Sequence, residues 1–449
     1  MSILNKKEPL ILGLGDIAAF LLALYLMLVI RYGEAPDRYV FYAHLIPFSL
    51  LFIGWLAVFF VAGLYEKHTV LFQRRLPKIL IKTAIINIIL AVLLFYFIPY
   101  FGITPKVNLF IYLIISSVFI FLWRIYGYGL LYAKKKQNAI IIGSGEELSE
   151  LTREVNNNKR YDIFFVSALE IDNLADIDFR RDILDRIKSD DVSLVVLDLK
   201  NKKLEPILPH LYDLTFKNVQ FVDMYRLYED IFDRIPLSLV KYDWFLGNIS
   251  ISSSAGYDAL KRLLDICLSA VLGLLSLILY PFILLAIKLD DGGPIFIFQE
   301  RVGARDRRIR TIKFRTMTRD DAGIVSNQKG NKTTRVGPFL RRSRLDELPQ
   351  FWNVFKGDLS LIGPRPELPS LVAVYEKEVP YYQTRHLIKP GLSGWAQLYH
   401  DNHPHHKANV SETRVKLSYD LYYIKNRSLF LDLKIILKTL KTLSSRSGA

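Results

Sequence analysis

The sequence of 449 residues is long enough for two or three domains, and 51% of its residues are hydrophobic, which is high for a purely soluble protein. The formal net charge of +15 fits a partner that is either nucleic acid or an anionic membrane surface with phosphorylated ligands. The single cysteine, Cys267, excludes an internal disulfide and a cysteine-based metal site. Composition therefore favours a membrane protein with aqueous domains and gives no sign of an oxidising compartment.

Four apolar stretches are long enough to cross a bilayer as helices. They cover residues 10–30, 41–64, 79–101 and 109–131. Basic residues fill the second connection and follow the fourth stretch, at Lys67, Arg74, Arg75, Lys78, Lys134, Lys135 and Lys136. Because such connections stay on the cytoplasmic side, residues 1–133 are predicted to form four spans that begin and end inside. Asp16 is costly in lipid, so we expect it to face other helices or to lie near an interface.

Residues 134–247 change to short β-rich runs separated by polar helical stretches, with runs that begin at Ala139, Phe164, Val192 and Val219. This alternation predicts a Rossmann-like α/β domain with a parallel sheet. Gly143 and Gly145 resemble the start of a dinucleotide fingerprint, but Leu148 stands where the third glycine belongs. The pattern therefore favours a tight turn over nucleotide binding. The serine-rich residues 248–258 are predicted to be a linker.

The apolar run over residues 263–288 has the length of a fifth span, but several features oppose a full crossing. Basic residues lie just before it, at Lys261 and Arg262, and at or beyond its end, at Lys288 and Arg301. Pro281 lies inside the helical pattern and should bend it. The downstream sequence is rich in groups suited to nucleotide and phosphate ligands. We therefore predict a re-entrant helix, whereas a kinked ordinary span would put residues 290–449 outside.

The region 313–365 contains the densest set of groups suited to phosphate. Its arginines offer planar forks to phosphate oxygens. Asp346 and Glu347 are adjacent in a predicted helical stretch opened by Ser343, where neighbouring side chains point about 100° apart, so we expect separate roles. A carboxylate that attacks phosphorus needs cations to neutralise its approach, and arginines with Mg²⁺ would supply them.

A set of motifs resembles the bacterial sugar transferase family of monotopic polyprenyl-phosphate phosphoglycosyltransferases. The motifs are KRLLD at Lys261, GGPIFIFQERVG at Gly292, KFRTM at Lys313, RLDELPQFWNVFKGDLSLIGPRPE at Arg344, KPGLSGWAQ at Lys389 and YDLYYIKNRSLFLDLKIILKT at Tyr419. The preceding spans and Rossmann-like domain resemble the long-form members that initiate exopolysaccharide, capsule or O-antigen synthesis. The resemblance implies a mainly α-helical catalytic domain over residues 259–449 with a re-entrant membrane helix.

By this resemblance, Asp346 would attack the sugar-linked phosphate of a UDP-sugar, release UMP and hold a covalent phosphosugar, which polyprenyl phosphate would then displace. Glu347 would either organise Mg²⁺ with Asp346 or accept the proton of the lipid phosphate. The phosphates would be held by Lys313, Arg315, Arg344, Arg365 and Arg301. The re-entrant helix would be fixed at the interface by Lys261, Arg262 and Asp265, with Pro281 at its bend.

Two departures from the family pattern stand out. Relatives have a serine-proline pair at the helix break, whereas Tyr280 precedes Pro281 here, so that serine cannot support the bend. After GWAQ, a polar loop contains His400, His403, His405 and His406. A proline-interrupted polar loop explains these histidines better than a metal site does, because no cysteine assists them.

The resemblance implies a multi-pass protein of the bacterial inner membrane, with its catalytic domain on the cytoplasmic face. UDP-sugar, polyprenyl phosphate and inner-membrane lipids would be its partners, and the large non-catalytic region favours a homodimer. The alternatives are a non-catalytic scaffold or regulator of polysaccharide assembly, and a processive glycosyltransferase that releases UDP. No nucleic-acid-binding module is recognisable, so no nucleic acid partner is predicted. The sequence does not identify the sugar.

Overall fold

In this computed structural model the described residues are 8–65, 76–97, 106–127, 136–158, 161–171, 183–216, 219–249, 255–318, 333–399 and 409–445. The four-histidine loop therefore lies outside the described residues. Most of the predicted basic connections and of the serine-rich linker also lie outside them. The chain divides into two compact units, Met1–Leu227 and Tyr228–Ala449.

Four long apolar helices open the first unit. They are α1 (Glu8–Tyr32), α2 (Arg38–Val61), α3 (Leu76–Phe97) and α4 (Lys106–Leu122), and a π-helical turn at Trp123–Gly127 continues α4. All four are long and apolar enough to cross a membrane. The prediction of a four-helix membrane region is confirmed at this level, and the helices pack around a core of aromatic side chains that includes Phe20, Trp55 and Tyr112.

Asp16 lies inside this bundle and is fully buried. Its carboxylate pairs with Arg124 of the π-helical turn and accepts a hydrogen bond from Tyr65. Arg124 also donates a 2.8 Å hydrogen bond to the carbonyl of Leu64. These contacts confirm the expectation that Asp16 faces other helices. A charged side chain inside a membrane is tolerated when it is paired in this way.

A four-stranded parallel sheet follows in the first unit. Its strands are β1 (Gln137–Gly143), β2 (Ile163–Glu170), β3 (Val192–Leu197) and β4 (Gln220–Asp223), in the order β2-β1-β3-β4. The intervening helices are α5 (Glu146–Asn157), α6 (Arg186–Ser189) and α7 (Leu208–Thr215), with α8 (Met224–Phe232) after β4. The predicted parallel α/β sheet is confirmed, because each predicted β-rich run forms one of these strands.

The turn between β1 and α5 is tightly packed. A Cβ atom at Gly143 would lie 2.4 Å from the sulfur of Met224, so the space above this glycine is filled by a side chain. Gly145 adopts a φ of +82° at the start of α5, and Leu148 is buried in the core. These contacts agree with a structural turn, which the sequence favours over nucleotide binding.

The second unit contains a mainly helical domain with two small sheets. Its helices are α9 (Tyr242–Asn248), α10 (Ala255–Ser276), α11 (Tyr280–Asp291), α12 (Gly337–Arg342), α13 (Gln350–Lys356), α14 (Pro369–Glu378), α15 (Trp395–Tyr399), α16 (Val410–Lys425) and α17 (Leu429–Ser445). An antiparallel hairpin joins β5 (Phe296–Val302) to β6 (Arg308–Phe314), and β7 (Ser360–Ile362) pairs in parallel with β8 (Gly391–Ser393).

Residues that precede α9 contact the last helices of this unit. Glu229 pairs with Lys425 at 2.6 Å, and the indole of Trp395 donates a 2.9 Å hydrogen bond to the carbonyl of Asp233. Glu229 and Asp233 fall within the predicted α/β domain of residues 134–247. The domain limits proposed from the sequence stay predictions.

Helices α10 and α11 form a bent apolar pair with an angle of 57° between them. The break covers residues 277–279, and Pro281 lies in the first turn of α11, where its missing N–H removes no helical hydrogen bond. The hydroxyl of Ser276 donates a 2.6 Å hydrogen bond to the carbonyl of Gly273 at the end of α10. A serine thus lies at this break, although not in the position directly before the proline.

The start of α10 is fixed to the second unit by its polar residues. Lys261 pairs with Asp432 at 2.9 Å, and Asp265 accepts a 3.0 Å hydrogen bond from the backbone of Leu361. The guanidinium of Arg262 donates to the last carbonyls of α13, at Val354 and Phe355. Such cationic capping satisfies carbonyls that have no partner within their own helix.

The end of α11 is fixed to the same unit. Asp290 accepts a 2.9 Å hydrogen bond from the backbone of Val336, and Asp291 pairs with Arg315. The helix ends at Gly292, whose φ of +69° is the left-handed conformation common at helix C-termini. Both ends of the bent pair therefore contact one unit.

Candidate functional site

The β5–β6 hairpin presents one cation of the site. Lys313 lies opposite Ile297 in the antiparallel register, next to the buried side chain of Phe314. Because successive side chains of a strand point to opposite faces, burial of Phe314 directs Lys313 away from the core beneath the hairpin. Its ammonium donates a 2.9 Å hydrogen bond to Glu347.

The two candidate catalytic acids lie on a short 3₁₀ turn at Leu345–Glu347. The prediction that both acids lie in a helical stretch opened by Ser343 is wrong, because α12 ends at Arg342 and Arg344 adopts a φ of +56°. This left-handed conformation costs a non-glycine residue roughly 1 kcal/mol, and it breaks the helical path before the acids.

Three cations converge on the carboxylate of Glu347. Arg365 donates a 2.8 Å hydrogen bond and Lys313 a 2.9 Å hydrogen bond to the same oxygen, Oε1. Arg344 lies 3.7 Å from the other oxygen, Oε2. Burial raises the pKa of Glu347, but the charges of these three cations outweigh it and hold the pKa well below its usual value. Glu347 is therefore an ionised anchor for the surrounding cations.

The neighbouring residue, Asp346, is 8% exposed, and its carboxyl group has no hydrogen-bond partner within the described ranges. Burial and the charge of Glu347 raise the pKa of Asp346 to about 6, against the opposing effect of Lys313, Arg341 and Arg365. The adjacent acids thus have different environments. One is paired and firmly ionised, and the other is unpaired and more basic, which suits a nucleophile.

Arg341 adds a further positive charge near Asp346. Its guanidinium donates a 2.8 Å hydrogen bond to the hydroxyl of Thr316, which follows β6. The sequence suggests Arg341 as one of several phosphate-binding arginines. Thr316 belongs to the KFRTM motif at Lys313, but the sequence assigns it no role of its own.

The remaining predicted phosphate-binding residues have other partners. Arg301 donates to the carbonyl of Pro366 at 3.3 Å and to the side chain of Gln299 at 2.9 Å, so it supports the segment that follows Arg365. Arg315 donates to Asp291 and to the carbonyl of Pro294 at 2.7 Å, which ties β6 to the end of α11. Phosphate binding by Arg301 and Arg315 stays a prediction.

A buried polar network lies behind Arg365 that the sequence does not suggest. Arg385 donates a 3.0 Å hydrogen bond to the carbonyl of Arg365 and pairs with Asp420 at 2.9 Å. It also donates to the hydroxyl of Tyr382 at 2.7 Å. Burial raises the pKa of Asp420 to about 6, against the opposing charge of Arg385. The network holds the backbone that carries Arg365.

Oxygen donors for a divalent cation are present at the acids. Among the described residues the carboxylate of Asp346 has no hydrogen-bond partner, and Oε2 of Glu347 lies 3.7 Å from Arg344. Hard oxygen ligands of this kind suit Mg²⁺. A second group of side chains of types that can ligate a metal lies elsewhere in the unit: the nitrogen or oxygen atoms of Asp306, Glu376 and His386 lie within 4.8 Å of one another. A 2.6 Å hydrogen bond between His386 and Asp306 accounts for much of this proximity.

Comparison with known proteins places this site in a recognised sequence context. The profile of a family described as bacterial sugar transferase matches residues 256–446. A protein of Aeromonas hydrophila, named UDP-N-acetylgalactosamine-undecaprenyl-phosphate N-acetylgalactosaminephosphotransferase, is 44% identical over 44% of this chain and 47% of its own length. A protein of Xanthomonas campestris pv. campestris, named UDP-glucose:undecaprenyl-phosphate glucose-1-phosphate transferase, is 37% identical over 41% of this chain and 38% of its own length.

The chain thus spans less than half the length of these two relatives. The exopolysaccharide production protein PSS of Rhizobium leguminosarum bv. phaseoli is 39% identical over 189 residues, which are 40% of this chain and 92% of that protein. A relative that consists almost entirely of the matched region shows that this region occurs without the helices and the parallel sheet that precede it here.

Proposed function

The chain belongs to the bacterial sugar transferase family, and we propose that it transfers a sugar-1-phosphate from a UDP-sugar to undecaprenyl phosphate. The products would be UMP and an undecaprenyl-diphosphate sugar, as the first membrane step of exopolysaccharide, capsule or O-antigen synthesis. Relatives from Aeromonas hydrophila and Xanthomonas campestris are named for reactions of this type. The observation that carries the proposal is the convergence of Lys313, Arg344 and Arg365 on Glu347 beside the unpaired Asp346.

In the first step, a carboxylate oxygen of Asp346 attacks the phosphorus that bears the sugar. A bond forms between this oxygen and phosphorus, and the bond from phosphorus to the bridging oxygen of UMP breaks. UMP leaves with that electron pair, and the phosphosugar stays on Asp346 as a mixed anhydride. In the second step an oxygen of undecaprenyl phosphate attacks the same phosphorus, and the carboxylate of Asp346 is released.

The cations make this attack feasible. A carboxylate and a diphosphate repel each other, and fixed positive charges in a partly buried site reduce that barrier without reorganising. Lys313, Arg344 and Arg365 already surround Glu347, so they are held in place before a substrate arrives. The planar guanidinium of Arg365 has several N–H donors, so it can bond to Glu347 through one nitrogen and to a phosphate oxygen through another.

Of the two roles that the family resemblance leaves for Glu347, the electrostatic one fits better. Three cations hold its pKa well below the usual value, and a weak base is a poor acceptor for the proton of the lipid phosphate. We propose that Glu347 positions the cations and, with Asp346, supplies oxygen ligands for Mg²⁺. When bound, the ion would neutralise charge on the diphosphate.

The bent pair α10–α11 supports a re-entrant membrane helix. A helix that crosses a bilayer has its ends on opposite faces, whereas both ends of this pair contact the second unit through Arg262, Asp265, Asp290 and Asp291. We propose that the pair enters one leaflet and returns. The site would then lie at the inner membrane and face the cytoplasm, where UDP-sugars are available. The partners of the chain would be inner-membrane lipids and a second copy of the chain.

The decisive test uses the full chain in lipid nanodiscs with Mg²⁺, undecaprenyl phosphate and a panel of UDP-sugars. We expect UMP and a lipid-linked sugar from at least one donor. Asp346→Asn should lower the rate by at least about a thousandfold, whereas the exposed Asp185→Asn control should not. Chelation of Mg²⁺ by EDTA should also stop the reaction. Release of UDP in place of UMP, or turnover by Asp346→Asn, would contradict the proposal.

A further inference from the structure

A small polar cavity of about 20 Å³ lies beside the candidate site in the second unit. Its polar lining consists of Arg365, Glu367, Arg385, Gln397, Lys416 and Asp420. The volume suffices for one water-sized group. Because Arg365 also donates to Glu347, this cavity borders the cation cluster at the candidate catalytic acids.

The two arginines of the lining already have partners. Arg365 donates to Glu347, and Arg385 donates to Tyr382 and to the carbonyl of Arg365. Arg385 also forms ion pairs with Asp420 at 2.9 Å and with Glu367 at 3.9 Å. Their donors therefore serve mainly to hold the walls. Of the other polar lining residues, Glu367 and Asp420 pair with Arg385, whereas Gln397 and Lys416 have no ion pair with either arginine among the described contacts.

The amide oxygen Oε1 of Gln397 is buried and has no hydrogen-bond partner among the residues that the structure describes. Lys416 is half-buried, and its ammonium has no carboxylate oxygen within 4 Å among the described residues. Burial lowers the pKa of Lys416. A buried acceptor without a donor is destabilising, and most buried polar groups in native proteins have a hydrogen-bond partner, so this acceptor is suited to a bound ligand.

An unpaired acceptor and an unpaired donor on one cavity select the chemistry of a ligand. A hydroxyl group accepts a hydrogen bond from an ammonium and donates one to an amide oxygen, so it satisfies both. A phosphate oxygen only accepts, and the carbonyl oxygen of Gln397 would repel it. The geometry points to Gln397 and Lys416 as residues that bind one hydroxyl of the transferred sugar and thereby set the preference among UDP-sugars.

The two side chains are held on rigid supports. Gln397 lies on α15, where Trp395 is buried and donates to the carbonyl of Asp233. A Cβ atom at Gly394 would lie 2.4 Å from the carbonyl oxygen of Gly363, so the start of α15 packs directly against the segment before Arg365. Lys416 lies on α16 one turn before the buried Asp420. Preorganised groups discriminate between ligands better than mobile ones do.

This inference rests on the proposed function, because it assigns the sugar specificity of that reaction. The test combines protein variants with donor analogues in the UMP-release assay. For the preferred donor, each sugar hydroxyl is replaced by hydrogen in turn, and kcat/KM is measured for the unmodified chain, for Gln397→Leu and for Lys416→Met. The matched controls are Gln383→Leu and Lys377→Met, at exposed positions of the same unit.

For the unmodified chain and both controls, we expect one deoxy analogue to have a kcat/KM about tenfold or more below that of the preferred donor. The same deoxy change should cost almost nothing in Gln397→Leu or Lys416→Met, because the hydroxyl has lost its partner. Gln397→Met keeps the length of the side chain but has no amide oxygen, and it serves if Gln397→Leu does not fold.

The inference would be overturned if Gln397→Leu and Lys416→Met were active and lost as much kcat/KM as the unmodified chain with every deoxy analogue. That result would leave the proposed function intact, since UMP would still be released. Absence of UMP release by the unmodified chain with all donors would instead overturn the proposed function.

Discussion

Arg365 donates a 2.8 Å hydrogen bond to Glu347, and the carboxyl group of the preceding residue, Asp346, has no such partner among the described residues. This difference separates two acids that are neighbours in the chain. It leaves Glu347 as a fixed anion within a cation cluster and Asp346 as a buried carboxylate with a raised pKa. On this basis we assign nucleophilic attack to Asp346.

Replacement of Arg365 by lysine should keep the charge and remove the planar fork. We expect Arg365→Lys to lower kcat/KM for UMP release by roughly 10–100-fold, because one ammonium cannot bond to Glu347 and a phosphate with the same geometry. Steady-state kinetics would measure this. Arg342→Lys, at an exposed position of α12, is the matched control and should have nearly normal kinetics. Equal rates for both variants would exclude a special role for Arg365.

The rate should depend on pH through Asp346. Attack requires the ionised carboxylate, and burial with the charge of Glu347 raises its pKa to about 6. As the pH falls below this value Asp346 becomes protonated, so kcat/KM should fall about tenfold for each further pH unit. Lys313→Met removes a charge that lowers this pKa, so the acidic limb should move to higher pH. A profile that stays flat down to pH ~4.5 would be inconsistent with this assignment.

The bent pair α10–α11 can be tested by cysteine labelling in sealed vesicles. The exposed Cys267 is first replaced by serine, and single cysteines are then introduced as Lys241→Cys before the pair and Lys356→Cys after it. A membrane-impermeant maleimide should label both from the same side. Glu34→Cys, between α1 and α2, should be labelled from the opposite side. Labelling of positions 241 and 356 from opposite sides would identify a broken full span.

Asp265 should matter for stability more than an exposed acid does. It is buried and accepts a hydrogen bond from Leu361, so Asp265→Ala should leave that backbone N–H without its partner and cost about 1–3 kcal/mol. Asp258 lies on the same helix and makes an exposed ion pair with Arg427, which contributes little. Thermal unfolding in nanodiscs should therefore show a clear loss of Tm for Asp265→Ala and almost none for Asp258→Ala.

Much of the fold is predictable because it depends on local patterns. The four apolar helices follow from the length of continuous hydrophobic runs, and the parallel sheet follows from strand-helix alternation at Ala139, Phe164, Val192 and Val219. Pro281 predicts a bend within a few residues of its position. The structure places the break just before it, because a proline is accommodated best in the first turn of the second helix.

The site is only partly predictable, because its pairs join residues that are far apart in sequence. The motifs indicate that Lys313, Asp346, Glu347 and Arg365 act together, but they do not show which acid the cations contact. That depends on the left-handed Arg344, which turns the acids out of a helical path. Arg385 and Lys416 are isolated polar residues with no local pattern, and Gln397 ends the KPGLSGWAQ motif without any sign of what it contacts. Only the tertiary structure brings them together with Arg365 and Asp420 around one cavity.

The central claim is that Asp346 carries the phosphosugar during the reaction. The most direct measurement incubates the full chain with a UDP-sugar labelled on the sugar-linked phosphate, without undecaprenyl phosphate, and follows UMP release together with label on the protein. The account predicts a burst of UMP no larger than the amount of enzyme, with label on the peptide that contains Asp346 and none on Asp346→Asn. UMP release that requires undecaprenyl phosphate and leaves the protein unlabelled would show direct transfer and contradict the account.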